Sequence, residues 1–306
     1  MLFRLRSVAF WRLRALPFAC ALRRHLGLAA LLLTAVCLPP AVLAQSGPGA
    51  TKQSLGELIR GDRDAADLSA DTVAQVKTFL DDKSKPVRDR LEVKIAFEQA
   101  RLKRRHFSSR DQQLQAHADH AAELMREFPY EPEGYGYQLS LAKAENPPKA
   151  RRLAESLLDS PAPPQFKRGA QRVLARLALE GGPLRLAGVD AAVNAARGQP
   201  LAIYVWTAQS AGIKEAVRRL AAERRDFAFI GINLDADVAT AKAAAAGLPG
   251  AQFYDGDGLD GPLARQLQLT MGVALYLVDA DGVIRDVDAY RDPLASARRI
   301  AKGGRK

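Results

Sequence analysis

Residues 201–213 read Leu-Ala-Ile-Tyr-Val-Trp-Thr-Ala-Gln-Ser-Ala-Gly-Ile, an unbroken apolar run followed at once by small and polar residues. A short apolar run rich in β-branched and aromatic side chains is typical of a strand that is buried on both faces. The residues after Trp206 lead into a helical pattern from about Ser210 to Arg225. The stretch therefore predicts a buried strand whose carboxyl end passes directly into a helix.

The chain after this stretch continues the alternation of short strands and helices. The predicted strands are 227–233, 251–254, 273–278 and 283–287, and the predicted helices are 237–246, 262–267 and 293–302. Asp279-Ala-Asp-Gly282 has the composition of a tight hairpin turn between the last two strands. Residues 181–306 are therefore expected to form an α/β domain, a mixed sheet with helices on both faces.

The preceding segment, residues 53–180, has the apolar spacing of helices throughout. Its clearest stripe recurs at intervals of four, three, four and three residues, and consists of Leu114, Ala118, Ala121, Met125 and Phe128. Two parts of the segment match when offset by 32 residues, with Pro129 over Pro161 and Pro132 over Pro164. A tetratricopeptide-like repeat of helical hairpins and an ordinary helical bundle both explain this all-α domain.

Four segments of the C-terminal half carry a resemblance to a known family. They are Tyr204–Ile213, Gly231–Asp235, Gly261–Ala264 and Leu277–Gly282. With the order of elements, they resemble the thioredoxin fold, and within it the redoxins called TlpA-like thiol-disulfide oxidoreductases, over residues 182–301. The resemblance implies a thioredoxin-like fold. It also implies, for the family, an active site in which two cysteines at a helix start exchange disulfides.

This chain departs from the family at each part of that active site. Ser210 and Ile213 stand where the family has its two cysteines. A serine hydroxyl stays protonated and an isoleucine has no thiol, so neither can form a disulfide. Val273 stands at the family's cis-proline position, and a cis bond before a residue other than proline costs about 2.5–4 kcal/mol. We therefore expect a trans Gly272–Val273 peptide, a degenerate redox centre and no cofactor.

The expected remaining function is binding. Six residues are predicted to line the remnant of the family's groove: Trp206, Thr207, Gln209, Ser210, Gly272 and Val273. A protein or peptide partner is the expected ligand, because helical repeats offer concave surfaces to such partners. For Trp206, a purely structural place at the end of the core strand is an equal alternative. The competing functional hypothesis is a working thiol-disulfide oxidoreductase, which would need a cysteine supplied by a partner or an unrecognised cofactor.

The start of the chain has the features of an export signal. Six arginines and no acidic residue occur in residues 1–44, and an apolar run from Leu26 ends in small residues, with Val42 and Ala44 before a plausible cleavage site. An uncleaved membrane anchor is the weaker interpretation. Residues 45–52 are expected to be a linker, and the mature protein is expected to be periplasmic. Both cysteines, Cys20 and Cys37, lie within the signal.

Charge excludes one class of partner. The chain has 45 Lys and Arg against 34 Asp and Glu, and removing the six arginines of residues 1–44 leaves 39 against 34, a net charge of +5. A balance this mild, without aromatic residues among the basic ones, does not indicate a nucleic-acid-binding protein.

Three other candidate sites have weaker patterns. His117 and His120 lie one helical turn apart and could share a metal ion, although an exposed polar face is the favoured interpretation. The segment Asp255–Gly261 hints at a calcium loop, but Leu259 stands where an oxygen ligand is needed, so a Gly/Asp turn is favoured. Ser210 has no histidine base anywhere after residue 181, which argues against a hydrolase. No metal site is therefore assigned.

Overall fold

The computed structural model describes residues 51–61 and 68–303, and within them seven helices precede residue 181. They are α1 Lys52–Gly61, α2 Ala70–Asp81, α3 Val87–Arg104, α4 Arg110–Glu127, α5 Pro132–Ala144, α6 Pro147–Asp159 and α7 Pro164–Leu177. The side chains of Ser69, Ser109 and Asn146 cap α2, α4 and α6 by accepting a hydrogen bond from the amide three residues on. Local sequence thus sets where these helices begin.

The prolines of the 32-residue offset have equivalent places in the structure. Pro132 and Pro164 both occupy the first position of a helix, where the missing amide hydrogen costs nothing. The tetratricopeptide interpretation nevertheless stays a prediction. Helix α1 begins at Lys52, the last residue of the predicted linker. The predicted signal peptide, residues 1–44, lies outside the described residues.

The C-terminal half is built on a five-stranded mixed sheet in the order β3-β2-β1-β4-β5. Its strands are β1 Leu201–Trp206, β2 Ala228–Asn233, β3 Ala251–Tyr254, β4 Ala274–Val278 and β5 Ile284–Asp286. Strands β1, β2 and β3 are parallel, whereas β4 is antiparallel to β1 and β5 antiparallel to β4. The helices are α8 Asp190–Ala195, α9 Ala211–Glu223, α10 Val238–Ala244, α11 Pro262–Gln266 and α12 Pro293–Gly303. This order and polarity is a thioredoxin-like fold, as expected.

The central strand β1 divides the core into two. Its six residues are all buried, and alternate side chains point to opposite faces. Ala202, Tyr204 and Trp206 pack with α9 and α12 on one face. Ile203 and Val205 belong to a cluster on the other face that also contains residues of α5, α6 and α7, from Tyr135 to Leu177. The predicted boundary at 180/181 stays a prediction, because apolar packing is continuous across it.

Two details differ from the sequence-based expectation. Helix α8 was not expected, because its six residues are too few to show a helical period. Strands β2, β4 and β5 begin one residue later than predicted, at Ala228, Ala274 and Ile284. The hairpin turn is as predicted, with the Val283 carbonyl accepting from the Asp279 amide at 2.9 Å and Gly282 at a positive φ of 82°. None of the helices in residues 51–61 and 68–303 is both long and apolar enough to cross a bilayer.

Candidate functional site

The predicted site residues lie where β1 and β2 end. Trp206 and Asn233 are the last residues of the two strands and are partners in the parallel register. Residues 207–210 then connect β1 to α9, and residues 270–273 lead into β4 alongside β1. Carboxyl ends of adjacent parallel strands at a common edge are a usual place for binding sites in α/β sheets.

Ser210 closes the turn between β1 and α9. Its hydroxyl donates to the Thr207 carbonyl at 2.7 Å and accepts from the Thr207 amide at 2.8 Å. The side chain of Ser210 makes no capping bond to α9, although the residue stands at the N-cap. A hydroxyl committed to the backbone in this way, with no histidine after residue 120 in the chain, has no base to activate it.

A buried polar network holds the same turn from behind. The Asp235 carboxylate accepts from the Ala208 amide at 2.7 Å and from the Asn233 side-chain amide at 2.8 Å. Asn233 is completely buried, and Lys214 donates to the Ala208 carbonyl at 2.8 Å. Two hydrogen bonds from outside the turn, to Asp235 and from Lys214, therefore hold its backbone, and Asn233 orients the Asp235 carboxylate. The sequence had drawn attention to Asn233 and Asp235 only through the family resemblance, and to Lys214 not at all.

Trp206 and Ile213 are core residues. Both are 0 % exposed, and they belong to one apolar cluster with Tyr204, Val217 and Leu277. The Trp206 indole N–H has no hydrogen-bond partner among the described residues. This burial corrects the expectation that Trp206 lines a groove and favours the alternative, a structural place at the strand end. The other five predicted residues are not fully buried, and Gln209 is exposed.

The second loop of the site has an unusual backbone. The Gly272–Val273 peptide is trans, as expected, like the other described peptide bonds. A Cβ atom placed on Gly272 would lie 3.9 Å from the Thr207 methyl group, so the structure brings these two predicted residues together. No hydrogen bond joins the backbone of residues 270–273 to another described residue. Thr270 is only 8 % exposed, and its hydroxyl also has no hydrogen-bond partner among the described residues.

Tyr290 is a site residue that the sequence analysis missed. It lies in the 3₁₀ turn Ala289–Arg291 and reaches across to the first turn of α9. A Cβ atom placed on Gly212 would lie only 2.6 Å from the Tyr290 hydroxyl oxygen, so the two residues are in close contact. The ring is half-buried, and this burial raises the pKa of the Tyr290 hydroxyl. The sequence has no signal for this contact, because the two residues are far apart in the chain.

The two histidines of α4 are not on an exposed face. His120 is only 4 % exposed and His117 is half-buried, because Tyr137 of α5 packs edge-on against both rings. The Tyr137 hydroxyl contacts His117 Nδ1, whereas His120 Nδ1 has no partner within the described residues. Burial lowers the pKa of His117, and lowers that of His120 to about 4. The favoured interpretation was therefore wrong for His120.

The segment Asp255–Gly261 is a helix cap. Asp255 is buried, and its carboxylate accepts hydrogen bonds from the Leu263 and Ala264 amides at 2.8 and 2.9 Å, at the start of α11. This use of Asp255 agrees with the favoured Gly/Asp turn. Among residues 51–61 and 68–303, no three His, Cys, Asp or Glu side chains are grouped as metal ligands would be.

Comparison with known proteins gave matches among solved structures only. No protein-family model matches the chain, and no curated protein sequence matches it. Solved structures similar to it include a thioredoxin-like protein from Bacteroides caccae, at 14 % identity over 88 % of this chain and 99 % of that one, with a TM-score of 0.39.

Two further similar structures cover the C-terminal half. A thiol-disulfide oxidoreductase from Bacteroides fragilis has 21 % identity over 33 % of this chain and 82 % of its own, with a TM-score of 0.29. A secreted Mycobacterium tuberculosis disulfide oxidoreductase, homologous to E. coli DsbE, has 17 % identity over 35 % and 85 %, also at 0.29. By its own strand order and polarity, the C-terminal half of this chain has a thioredoxin-like fold.

Proposed function

We propose that this protein is an exported thioredoxin-fold module that binds an extended segment of a protein partner and carries out no redox chemistry. The binding edge is formed by residues 207–210 and 270–273. Gln209, Thr207, Gly272 and Val273 contribute its accessible surface, and Trp206 supports it from the core.

The observation that carries the proposal is the free backbone of residues 270–273. Backbone amides and carbonyls are almost always hydrogen-bonded in folded proteins, so four consecutive residues without such bonds form a ready acceptor for another chain. An extended peptide that pairs with an open backbone edge satisfies these groups, and its side chains then supply specificity. The turn 207–210 lies beside residues 270–273 and is held rigid by its hydrogen bonds.

Three features support the absence of redox chemistry. Ser210 is engaged with the Thr207 backbone, and Ile213 is fully buried in the core. The only cysteines of the sequence, Cys20 and Cys37, precede both. Disulfide exchange needs an accessible thiolate, which neither position supplies.

Export is part of the proposal and rests on the sequence of residues 1–44. Cleavage after Ala44 would leave a mature protein without a thiol. Mass spectrometry of the protein from the cell envelope tests this directly, since the mature amino terminus is expected at Gln45. A terminus upstream of Cys37, with that side chain open to alkylation, would contradict it.

Insulin reduction by dithiothreitol separates the proposal from the competing oxidoreductase hypothesis. The wild-type protein is expected to accelerate the reaction no more than bovine serum albumin does. The matched comparison is S210C/I213C, which places two thiols one helical turn apart at the start of α9, within the Cα separation that a disulfide tolerates. Activity in this variant with none in the wild type supports the proposal, and clear activity in the wild type refutes it.

Photo-cross-linking tests the binding edge itself. A benzophenone amino acid at exposed Gln209 is expected to give discrete adducts in the envelope of the exporting cell. The same probe at Gln165, an exposed residue of α7, is the control. Adducts that are the same at both positions, or absent at Gln209, would contradict the proposed location.

A further inference from the structure

The junction of α5, α7 and the Ala289–Arg291 turn contains a group of positive charges that we call the junction cluster. Its members are Lys143, Arg172, Arg176, Arg291 and a single carboxylate, Asp288. Arg172 and Arg176 lie one turn apart on α7, and Lys143 lies in the last turn of α5, which packs against α7. Arg291 donates a hydrogen bond to the carbonyl of Ala144, the residue after Lys143. Two distant parts of the chain thus meet here.

The cluster contains a buried guanidinium group, that of Arg176. The residue is 2 % exposed, yet its Nε and Nη2 atoms have no hydrogen-bond partner among the described residues. Arginine keeps its charge at any physiological pH, and a buried charge without a partner costs several kcal/mol. Binding of an anion would stabilise a guanidinium group that is buried without a partner.

Asp288 does not meet that need. Its carboxylate pairs with Arg291, and no ion pair joins it to Arg176. Burial raises the pKa of Asp288, and this effect outweighs the opposing charges of Arg291 and Arg176. Two nearby acidic residues also have other partners, since Asp286 binds Ser296 and Arg299, and Glu145 binds the Asn146 amide.

Two of the remaining cations, Lys143 and Arg172, have no acidic partner either. Neither Lys143, which is half-buried, nor Arg172, which is exposed to solvent, has an ion pair or side-chain hydrogen bond in the part of the chain that the structure describes. Burial and the charge of Arg172 both lower the pKa of Lys143. The junction cluster therefore holds four cations against one carboxylate.

We propose that the junction cluster binds a phosphate group, either as inorganic phosphate or as the headgroup of an ester. The planar fork of arginine matches tetrahedral oxyanions through paired hydrogen bonds, and lysine adds a point charge. A phosphate dianion compensates more of the excess positive charge than chloride or a single carboxylate does.

Calorimetric titration with sodium phosphate, in sodium chloride at matched ionic strength, tests the site. We expect phosphate to bind to the wild-type protein in this titration and to raise its melting temperature in a thermal melt. R172Q and K143Q are expected to weaken binding about tenfold or more, since each removes a charge-assisted contact. R152Q removes an exposed arginine of α6 outside the cluster and is expected to bind like the wild type. Equal binding by R172Q and wild type, or an equal response to chloride, overturns the proposal.

R176M distinguishes an unpaired buried guanidinium from one that already has a partner. In chloride alone this variant is expected to melt at or above the wild-type temperature, because methionine fills the space without a charge to bury. It is also expected to lose the response to phosphate. A much lower melting temperature in chloride, with the phosphate response kept, overturns the proposal.

The source of the phosphate group is tested separately. Sedimentation with phosphatidylglycerol vesicles, compared between wild type and R172Q, reports a lipid headgroup. Binding that R172Q loses supports the cluster as a headgroup site, and binding of free phosphate alone supports a soluble ligand. Vesicle binding that is equal in the two proteins, with no binding of phosphate, overturns the proposal. This outcome is independent of the insulin and cross-linking results.

Discussion

Replacing His120 should change how the stability of the protein depends on pH. His120 is buried against Tyr137, and the groups that act on it are Lys94 of α3 and Glu123 and His117 of α4. Burial is the largest effect and lowers the pKa of His120 from 6.5 to about 4. An unfolded chain takes up the proton near pH 6.5, whereas the folded protein takes it up only near 4. Acid therefore favours unfolding between these values.

The magnitude follows from the difference between the two pKa values. At about 1.4 kcal/mol for each tenfold change in proton affinity, His120 costs the wild-type protein roughly 3 kcal/mol of stability as the pH falls from 7 to 4. The stability that the neutral His120 side chain contributes is fully present above pH 6.5 and is lost as the pH falls toward 4. His120→Phe keeps an aromatic ring beside Tyr137 but does not titrate, so this part of the pH dependence should disappear.

Urea unfolding at pH 7, 6, 5 and 4 measures the effect, as the difference in unfolding free energy between wild type and H120F at each pH. Other titrating groups largely cancel in that difference. H106Q, at an exposed histidine after α3, is the matched control and should follow the wild type at every pH. If the difference between wild type and H120F were the same at pH 7 and pH 4, the buried neutral histidine would be refuted.

Two further predictions concern the sheet domain. Asp255→Ala should destabilise the protein by about 2–4 kcal/mol in urea unfolding, because it removes a buried acceptor of two amides at the start of α11. The control is D257A at an exposed position, which should change stability by less than about 0.5 kcal/mol. Similar effects of the two variants would contradict the capping role. Gly250→Ala should cost more than about 3 kcal/mol, since its φ is +79° and an added Cβ would lie 1.9 Å from the Phe229 carbonyl oxygen. Gly282→Ala has the same backbone strain at φ +82° but open space around it, so melting curves should show a loss of only about 1 kcal/mol, and an equal loss in both would rule out the steric explanation.

Local patterns in the sequence were enough for the elements that have strong local signals. The apolar run 201–206 forms β1 within its predicted bounds, and Asp279–Gly282 forms the predicted hairpin turn. The six-residue helix α8 was missed, because a segment so short shows less than two helical turns. The resemblance also placed Ser210 and Ile213 at the start of α9, where the structure has them.

The sequence alone was therefore enough to predict most of the strands and helices in their order. It also has no cysteine after residue 37, which is the observation behind the proposed absence of disulfide exchange. The tertiary structure decided which of these residues are accessible and which polar groups have partners. For Trp206 a groove and a place in the core were equal alternatives, and it lies in the core. His120 was expected on an exposed face and lies against Tyr137, and Arg176 Nε and Nη2 have no acceptor among the described residues. The reason is physical: strand and helix signals arise between residues close together in the chain, whereas burial and hydrogen-bond partners come from segments that only the fold brings together.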